Sequence, residues 1–302
     1  MPEPLFDTAF LRKLEQLHLL SRKIFKGRMK GERRSKKRGQ SVEFADYRNY
    51  VIGDDLRYLD WNLFGRLERL FLKMYEEEEE LRVTIFLDNS ESMSFGKPAK
   101  IDTAKRIAAA LGYIALCSFD TVLLLPLARN GSGTPALGHS NTVSRPVHGK
   151  RMALQFFQSI AELPCEGKTT LNESLREQAR NARRAGVSIV VSDFLSPDGY
   201  EDGLKQLLAR HNDIFAFHVL APEELNPEFL GDWRVVDSET GGTIEVSVSR
   251  GQMKKYQQTV NNFCQRLKEH CTQRGISYLF TSTSEPFEDL MLKYIRQAGM
   301  VR

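Results

Sequence analysis

The stretch V-T-I-F-L-D-N-S-E-S runs from Val83 to Ser92 and ends in an aspartate, Asp88, and two alternate serines, Ser90 and Ser92. A run of about six residues rich in Val, Ile, Thr and Phe is typical of a strand that is buried on both faces. Carboxylate and hydroxyl groups at the end of such a strand lie where open α/β sheets bind ligands. The stretch therefore indicates a metal or phosphate site, or else a turn in which Asp88 and Ser90 cap a helix.

Strand and helix patterns alternate from this stretch to the end of the chain. A buried helical stripe is predicted over residues 101–115, and further helices over 152–163, 200–211 and 253–274. Apolar strands are predicted at Thr121 to Leu127, Val187 to Asp193, Ile214 to Leu220 and Ile276 to Phe280, with a hairpin around Gly241-Gly242. This alternation predicts an α/β domain over residues 81–302, built as a doubly wound, mainly parallel sheet.

The first 80 residues are predicted to form a separate N-terminal region. An amphipathic helix is expected to follow Asp7 and to run to about Ile24. Residues 26–38 carry eight basic residues, offset only by Glu32 and interrupted by glycines, which predicts a flexible basic loop. Because no aromatic residues interleave the basic ones, we interpret the loop as a solvated segment or a contact for an acidic protein surface, rather than for nucleic acid.

Residues 41–75 concentrate aromatic, arginine and aspartate side chains. We expect a small β-rich extension here, with a strand at Leu70 to Tyr75 and a satellite core formed by the aromatic rings. Ion pairs are expected across a turn at Gly53, among Asp54, Arg57, Asp60 and Arg66.

Composition narrows the class of protein. The chain has 302 residues and a formal net charge of +4, so strong electrostatic behaviour must come from clustered charges. Its four cysteines show no C-x-x-C spacing, so we expect reduced thiols and a cytoplasmic location. No stretch approaches the roughly 20 apolar residues of a membrane-spanning helix, and the N-terminus lacks the order of a secretory signal. A direct membrane span is therefore not expected.

Two further oxygen-bearing residues are predicted to join Asp88, Ser90 and Ser92. Thr169 opens a helix and Asp193 ends a later strand, and the carboxyl ends of neighbouring parallel strands meet at one sheet edge. The resulting all-oxygen set suits a hard cation: Mg²⁺ at about 2.0–2.1 Å, with Mn²⁺ and Ca²⁺ as alternatives. This set of residues contains no histidine or cysteine, which argues against zinc or copper as the bound metal.

The segment G-K-T-T at residues 167–170 raises two questions: whether it is a nucleotide-binding loop, and which of its threonines belongs to the predicted site. It is not a nucleotide-binding P-loop, because the motif needs a glycine at position 162 and that residue is Glu162. Either Thr169 or Thr170 could supply the hydroxyl, and the G-x-T spacing favours Thr169.

Two sets of residues resemble known families. D-N-S-E-S at 88–92, the threonine of G-K-T-T-L and Asp193 resemble the metal-ion-dependent adhesion site of von Willebrand factor type A domains. The upstream block resembles the signature that precedes the A-like domain in bacterial proteins catalogued as domain of unknown function 58. The matching residues of this block are Gly39, Glu43-Phe44, Arg48, Tyr50, Gly53-Asp54, Arg57, Asp60-Trp61 and Lys73.

The resemblance implies a non-enzymatic, metal-dependent interaction domain. Its pattern assigns direct metal contacts to Ser90, Ser92 and Thr169. One or both of Asp88 and Asp193 act through water, and an acidic residue of a partner completes the shell. It also implies a MoxR-type AAA+ ATPase as the partner, in a chaperone-like or assembly role.

Two alternatives stay open at this stage. In a metal-dependent phosphatase or phosphotransferase, Asp88 would be the nucleophile. That reaction pattern places a second aspartate two residues on, where this chain has Ser90, although Glu91 could serve as the acid by spacing alone. Nucleic-acid binding through residues 26–38 would instead require a steep dependence on salt.

Overall fold

The computed structural model describes Arg12 and residues 42–77, 81–129, 145–181, 186–227, 231–236, 242–287, 289–291 and 293. The described residues from 42 to 77 belong to one compact unit and those from 81 onward to another. Apart from Arg12, the predicted N-terminal helix lies outside the described residues, as does the basic loop 26–38. The assignment of residues 1–80 and 81–302 as domains stays a prediction.

The secondary structure follows the predicted alternation. The strands are β1 (Val42–Asn49), β2 (Phe71–Glu77), β3 (Arg82–Leu87), β4 (Thr121–Pro126), β5 (Ala128–Arg129), β6 (Val147–His148), β7 (Lys168–Thr169), β8 (Val187–Ser192), β9 (Asp213–Leu220), β10 (Gly231–Val236), β11 (Thr243–Val248) and β12 (Ser277–Ser282). The helices are α1 (Trp61–Leu67), α2 (Lys100–Cys117), α3 (Ala153–Ala161), α4 (Leu171–Asn181), α5 (Glu201–Ala209), α6 (Pro222–Leu225) and α7 (Arg250–Gln273). Short 3₁₀ helices lie at Leu56–Tyr58, Glu91–Ser94 and Lys150–Met152.

A six-stranded sheet in the order β12-β9-β8-β3-β4-β6 forms the centre of the larger unit. All neighbouring pairs are parallel except β4 and β6. Leu87 at the end of β3 is aligned with Val191 of β8, so the residues that follow these two strands emerge at the same edge. The predicted doubly wound, mainly parallel α/β sheet is confirmed.

Both faces of this sheet are covered, which explains why the central strands β3 and β8 are mostly apolar and are buried at all positions except Arg82. Alternate residues of β3 point to opposite sides. Ile85 packs in a cluster with Ile107 and Leu111 of α2, whereas Phe86 packs in another with Leu171 of α4 and residues of α5 and α7. No described helix combines the length and apolar character needed to cross a membrane.

The smaller unit is a β-hairpin, β1 paired antiparallel with β2, that carries the short helix α1. The predicted satellite core of aromatic rings is wrong: Tyr47, Tyr58, Trp61 and Phe64 are exposed. The reason is size, because so short a segment encloses too little volume to cover several large rings.

Two aspartates of the smaller unit organise its turns. Asp54 forms a two-point ion pair with Arg48, with N to O distances of 2.6 and 2.7 Å, and accepts a hydrogen bond from the Val51 N–H. Asp60 caps α1 by accepting from two main-chain N–H groups, and also contacts Lys73 and a tyrosine hydroxyl. The predicted pairing with Arg66 is wrong, since nearer cations reach these carboxylates first. Asp54 and Asp60 therefore recur in one block because each fixes one turn.

Candidate metal centre

The loop after β3 is held in place by main-chain and amide contacts. The Asp88 N–H donates to the Val191 carbonyl at 2.9 Å, which extends the pairing of β3 with β8 by one residue. Asn89 is fully buried; its amide nitrogen donates to the Pro164 carbonyl at 2.9 Å and its amide oxygen accepts from the Ala128 N–H at 3.0 Å. The polar residues that follow therefore start from a fixed backbone.

Thr169 reaches the same edge through the short strand β7, which pairs with β5. Gly167 precedes it with φ of +83°, and its carbonyl accepts a hydrogen bond from the Glu91 N–H at 3.1 Å. A side chain at Gly167 would lie 2.5 Å from the Arg129 carbonyl oxygen. Only glycine permits this close approach to β5, while the hydrogen bond from Glu91 ties the loop of Thr169 to the loop after β3.

Four hydroxyl groups and one carboxylate converge at this edge. The Oδ1 atom of Asp88 accepts from the Ser90 hydroxyl at 2.8 Å and from the Thr169 hydroxyl at 2.7 Å. Its Oδ2 atom accepts from the Ser192 hydroxyl at 2.6 Å. The Ser90 and Ser92 hydroxyl oxygens lie 3.0 Å apart. The structure thus brings four of the five predicted residues together, and it is Thr169 rather than Thr170 that contacts Asp88.

Asp193, the fifth predicted residue, lies beside this cluster with other partners. Its Oδ1 atom accepts from the Leu195 N–H at 3.0 Å, and its Oδ2 atom lies 2.6 Å from the Lys100 ammonium. Lys100 also lies 2.6 Å from Glu224 of α6. The lysine is 1% exposed, so a buried ammonium compensates the charge of Asp193.

Asp88 lacks such compensation. It is 1% exposed, and no lysine, arginine or histidine donates to it among the residues that the structure describes. Burial is the main cause that raises the pKa of Asp88 above its ordinary value, and the negative charge of Asp193 adds to it, against hydrogen bonds from the three hydroxyls of Ser192, Thr169 and Ser90. A buried carboxylate without a counter-ion is a position where a bound cation would be stabilising.

The pKa of Asp88 predicts how the stability of the metal-free protein depends on pH. The folded-state pKa is above the ordinary value of 3.8, so the folded protein binds the proton more tightly than the unfolded chain does. Stability in EDTA should therefore fall as pH rises from that value through the raised pKa. Asp88→Asn should lack this component, as urea unfolding of both proteins between about pH 4 and pH 8 would reveal. A stability difference between the two proteins that is independent of pH would contradict the assignment.

Sequence reasoning gave no role at this site to three residues: Asn89, Lys100 and Ser192. Ser192 directly precedes Asp193 and could have been found by that position. Lys100 had no comparable signal, since a lysine in the first turn of a helix is usually solvated.

The donor set is composed of hydroxyl and carboxylate oxygens. Within the described ranges, no three His, Cys, Asp or Glu residues cluster as metal ligands, so the site offers few charges and several neutral oxygens. Such donors suit Mg²⁺, which retains water and takes one or two carboxylates. The residues present therefore fit the predicted Mg²⁺, and equally Mn²⁺ or Ca²⁺.

Comparison with known proteins finds similar chains that are described as uncharacterized proteins. Uncharacterized protein Mb1516 of Mycobacterium bovis and Uncharacterized protein Rv1480 of Mycobacterium tuberculosis are each 25% identical over 253 residues, covering 80% of this chain and 75% of theirs. Among solved structures, the conserved hypothetical protein BatB from Bacteroides thetaiotaomicron aligns with a TM-score of 0.41 and 14% identity, over 72% of this chain and 96% of that chain. An aerotolerance-related membrane protein from Bacteroides fragilis aligns with a TM-score of 0.40 and 17% identity, over 72% and 99%.

A family model gives the assignment. The model described as "Protein of unknown function DUF58" matches residues 46–265, which is more than half of the chain and spans both units. The chain therefore belongs to the family of proteins of unknown function DUF58.

Proposed function

We propose that this chain is a non-enzymatic, von Willebrand factor A-like adaptor that binds a carboxylate of a protein partner through Mg²⁺. The observation that carries the proposal is the convergence of the Ser90 and Thr169 hydroxyls on the buried Asp88, with the Ser92 hydroxyl beside them. Each hydroxyl donates its proton inward and keeps oxygen lone pairs for a cation. The same arrangement accommodates Mn²⁺ or Ca²⁺.

The roles of the residues follow from their contacts. Ser90, Ser92 and Thr169 would hold the cation through hydroxyl oxygens, while Asp88 orients those hydroxyls and supplies negative charge. Asp193 would act through water, since both of its oxygens already have partners. The bound Mg²⁺ supplies a position that an outside anionic oxygen can fill.

The partner proposed is a MoxR-type AAA+ ATPase, in a chaperone-like or assembly role. The support is the resemblance of the block around Asp54 and Asp60 to a family often associated with such ATPases. An ATPase surface that offers a glutamate or aspartate meets the requirement of the site for a carboxylate.

Two exposed apolar side chains lie on the loops of the site. They favour a protein, rather than a small anion, as the ligand that completes the cation's shell. Phe95 is 51% exposed, and its N–H donates to the Ser92 carbonyl at 3.3 Å. Leu195 is 53% exposed, and its N–H donates to Asp193. Each is thus anchored to a residue of the site, where a protein bound through the cation would cover it.

Binding to the purified ATPase of the same host should depend on the cation. Replacing Mg²⁺ by EDTA should weaken binding at least about 100-fold in biolayer interferometry, because the bridging charge is lost. Phe95→Ala with Leu195→Ala should weaken it about tenfold, because two apolar contacts are lost. The matched controls are Phe119→Ala and Leu154→Ala, two similarly exposed residues elsewhere, which should have no effect. Binding that is equal in EDTA and Mg²⁺ would contradict the proposal.

The phosphatase alternative has less support. Asp88 is itself 1% exposed and both of its oxygens accept hydrogen bonds, whereas a nucleophile needs a free oxygen facing the substrate. Release of phosphate from phosphomonoesters that disappears in Asp88→Asn would establish the enzyme instead.

A further inference from the structure

Lys100 connects the candidate metal centre to a carboxylate on another helix. Its ammonium lies 2.6 Å from both Asp193 and Glu224 and is buried with them, the side chains being 1%, 4% and 17% exposed. Glu224 is fixed in turn, since its other oxygen accepts from the Ala221 N–H at 2.8 Å. The three charged groups form one chain of ion pairs.

The position of the ammonium divides the charges of the site unequally. Among the described contacts, Lys100 donates to Asp193 but not to Asp88 or to any of the four hydroxyl groups of the site. The Lys100 ammonium therefore cancels part of the negative charge of Asp193. The negative charge of Asp88 is left for a bound metal ion. Removing a buried ammonium from water is costly unless such partners compensate its charge, so the two carboxylates fix the place of this lysine.

We propose that Lys100 is a positioning residue that keeps Asp193 out of direct metal contact and limits the negative charge of the site. This inference rests on the proposed function. A cation held mainly by Asp88 and neutral hydroxyls keeps most of its positive charge and therefore still attracts an anionic oxygen from a partner. Glu224 also pairs with the Lys100 ammonium, so it reduces the positive charge that compensates Asp193.

Two substitutions should shift cation affinity in opposite directions. Lys100→Met removes a positive charge beside Asp193 and should tighten Mn²⁺ binding about tenfold. Glu224→Gln leaves the whole ammonium to Asp193 and should weaken Mn²⁺ binding by a similar factor. The glutamine keeps an acceptor for the Ala221 N–H, so helix α6 retains that contact.

Lys105 provides the matched control. It is a second buried lysine of α2, 8% exposed, but its ammonium donates to the main-chain carbonyls of Ala161 and Leu163 at 3.0 and 2.8 Å. Lys105→Met should reduce thermal stability, as Lys100→Met should, but without changing the Mn²⁺ affinity. A change in affinity caused only by a loosened fold would appear in both lysine variants.

The experiment is titration calorimetry of the full chain with Mn²⁺, together with thermal unfolding in EDTA. Opposite shifts in Lys100→Met and Glu224→Gln, with Lys105→Met unchanged, would support the proposal. Equal affinities in the wild-type chain and Glu224→Gln would overturn it even if Lys100→Met failed to fold, and would leave the proposed function standing.

If the wild-type chain bound no Mn²⁺, the proposed function would fall. Binding gained in Lys100→Met would then still support the charge-limiting role of the lysine, and its absence there would overturn that role too.

Discussion

Asp88→Asn should weaken the affinity of the chain for Mg²⁺ at least about 100-fold. The asparagine has the same shape and can still accept from Ser90 and Thr169, but it carries no charge to hold the cation. Titration calorimetry with Mg²⁺ and Mn²⁺ measures the effect directly. In EDTA at about pH 8 the variant should be at least as stable as the wild-type chain, because it removes a buried, uncompensated charge.

Asp120→Asn is the matched control for this prediction. Asp120 is also buried, 5% exposed, and accepts from the Leu81 N–H at 3.2 Å. It precedes β4, so it lies at the opposite edge of the sheet from the candidate site. Its substitution should leave the Mg²⁺ affinity unchanged. Retention of Mg²⁺ affinity in Asp88→Asn, or an equal loss in both variants, would show that Asp88 does not hold the metal.

Gly167→Ala should have a large effect on stability for the addition of a single methyl group. The new Cβ atom would lie 2.5 Å from the Arg129 carbonyl oxygen, and the backbone has φ of +83°. The backbone strain contributes about 1–2 kcal/mol and the collision about 2 kcal/mol more. Since Thr169 follows two residues later, its hydroxyl should be displaced from Asp88 and the Mg²⁺ affinity should fall as well. Urea unfolding and calorimetry measure the two effects.

Gly149→Ala separates backbone strain from collision. Gly149 has φ of +80°, nearly the value at Gly167, but no atom lies within 4 Å of a new Cβ. The variant should lose only the 1–2 kcal/mol of backbone strain and should bind Mg²⁺ normally. Equal losses of stability at the two glycines would mean that the close contact with Arg129 does not position Thr169.

The sequence patterns predict the larger unit well because its strands are buried on both faces. Residues such as Ile85 and Phe86 face different helices, so their continuous apolar run has one structural explanation. The smaller unit was harder to predict. The strand Val42–Asn49 mixes charged and aromatic residues, and the choice between exposed and buried rings depends on how much volume a short unit can enclose.

The candidate site shows the same difference between local and tertiary information. Asp88, Ser90 and Ser92 follow one strand, so their spacing alone suggests a shared role. Thr169 and Asp193 required the topology of a parallel sheet and the resemblance to adhesion sites. Lys100 could not be predicted, because its burial depends on two carboxylates 93 and 124 residues further along the chain.

Crystals grown with Mn²⁺ would test the central claim most directly, since anomalous scattering locates this ion and its preference for oxygen ligands resembles that of Mg²⁺. The account predicts one anomalous peak in contact with the Ser90, Ser92 and Thr169 hydroxyl oxygens, with Asp193 still paired to Lys100. A peak elsewhere on the chain, or none at a saturating Mn²⁺ concentration, would contradict it.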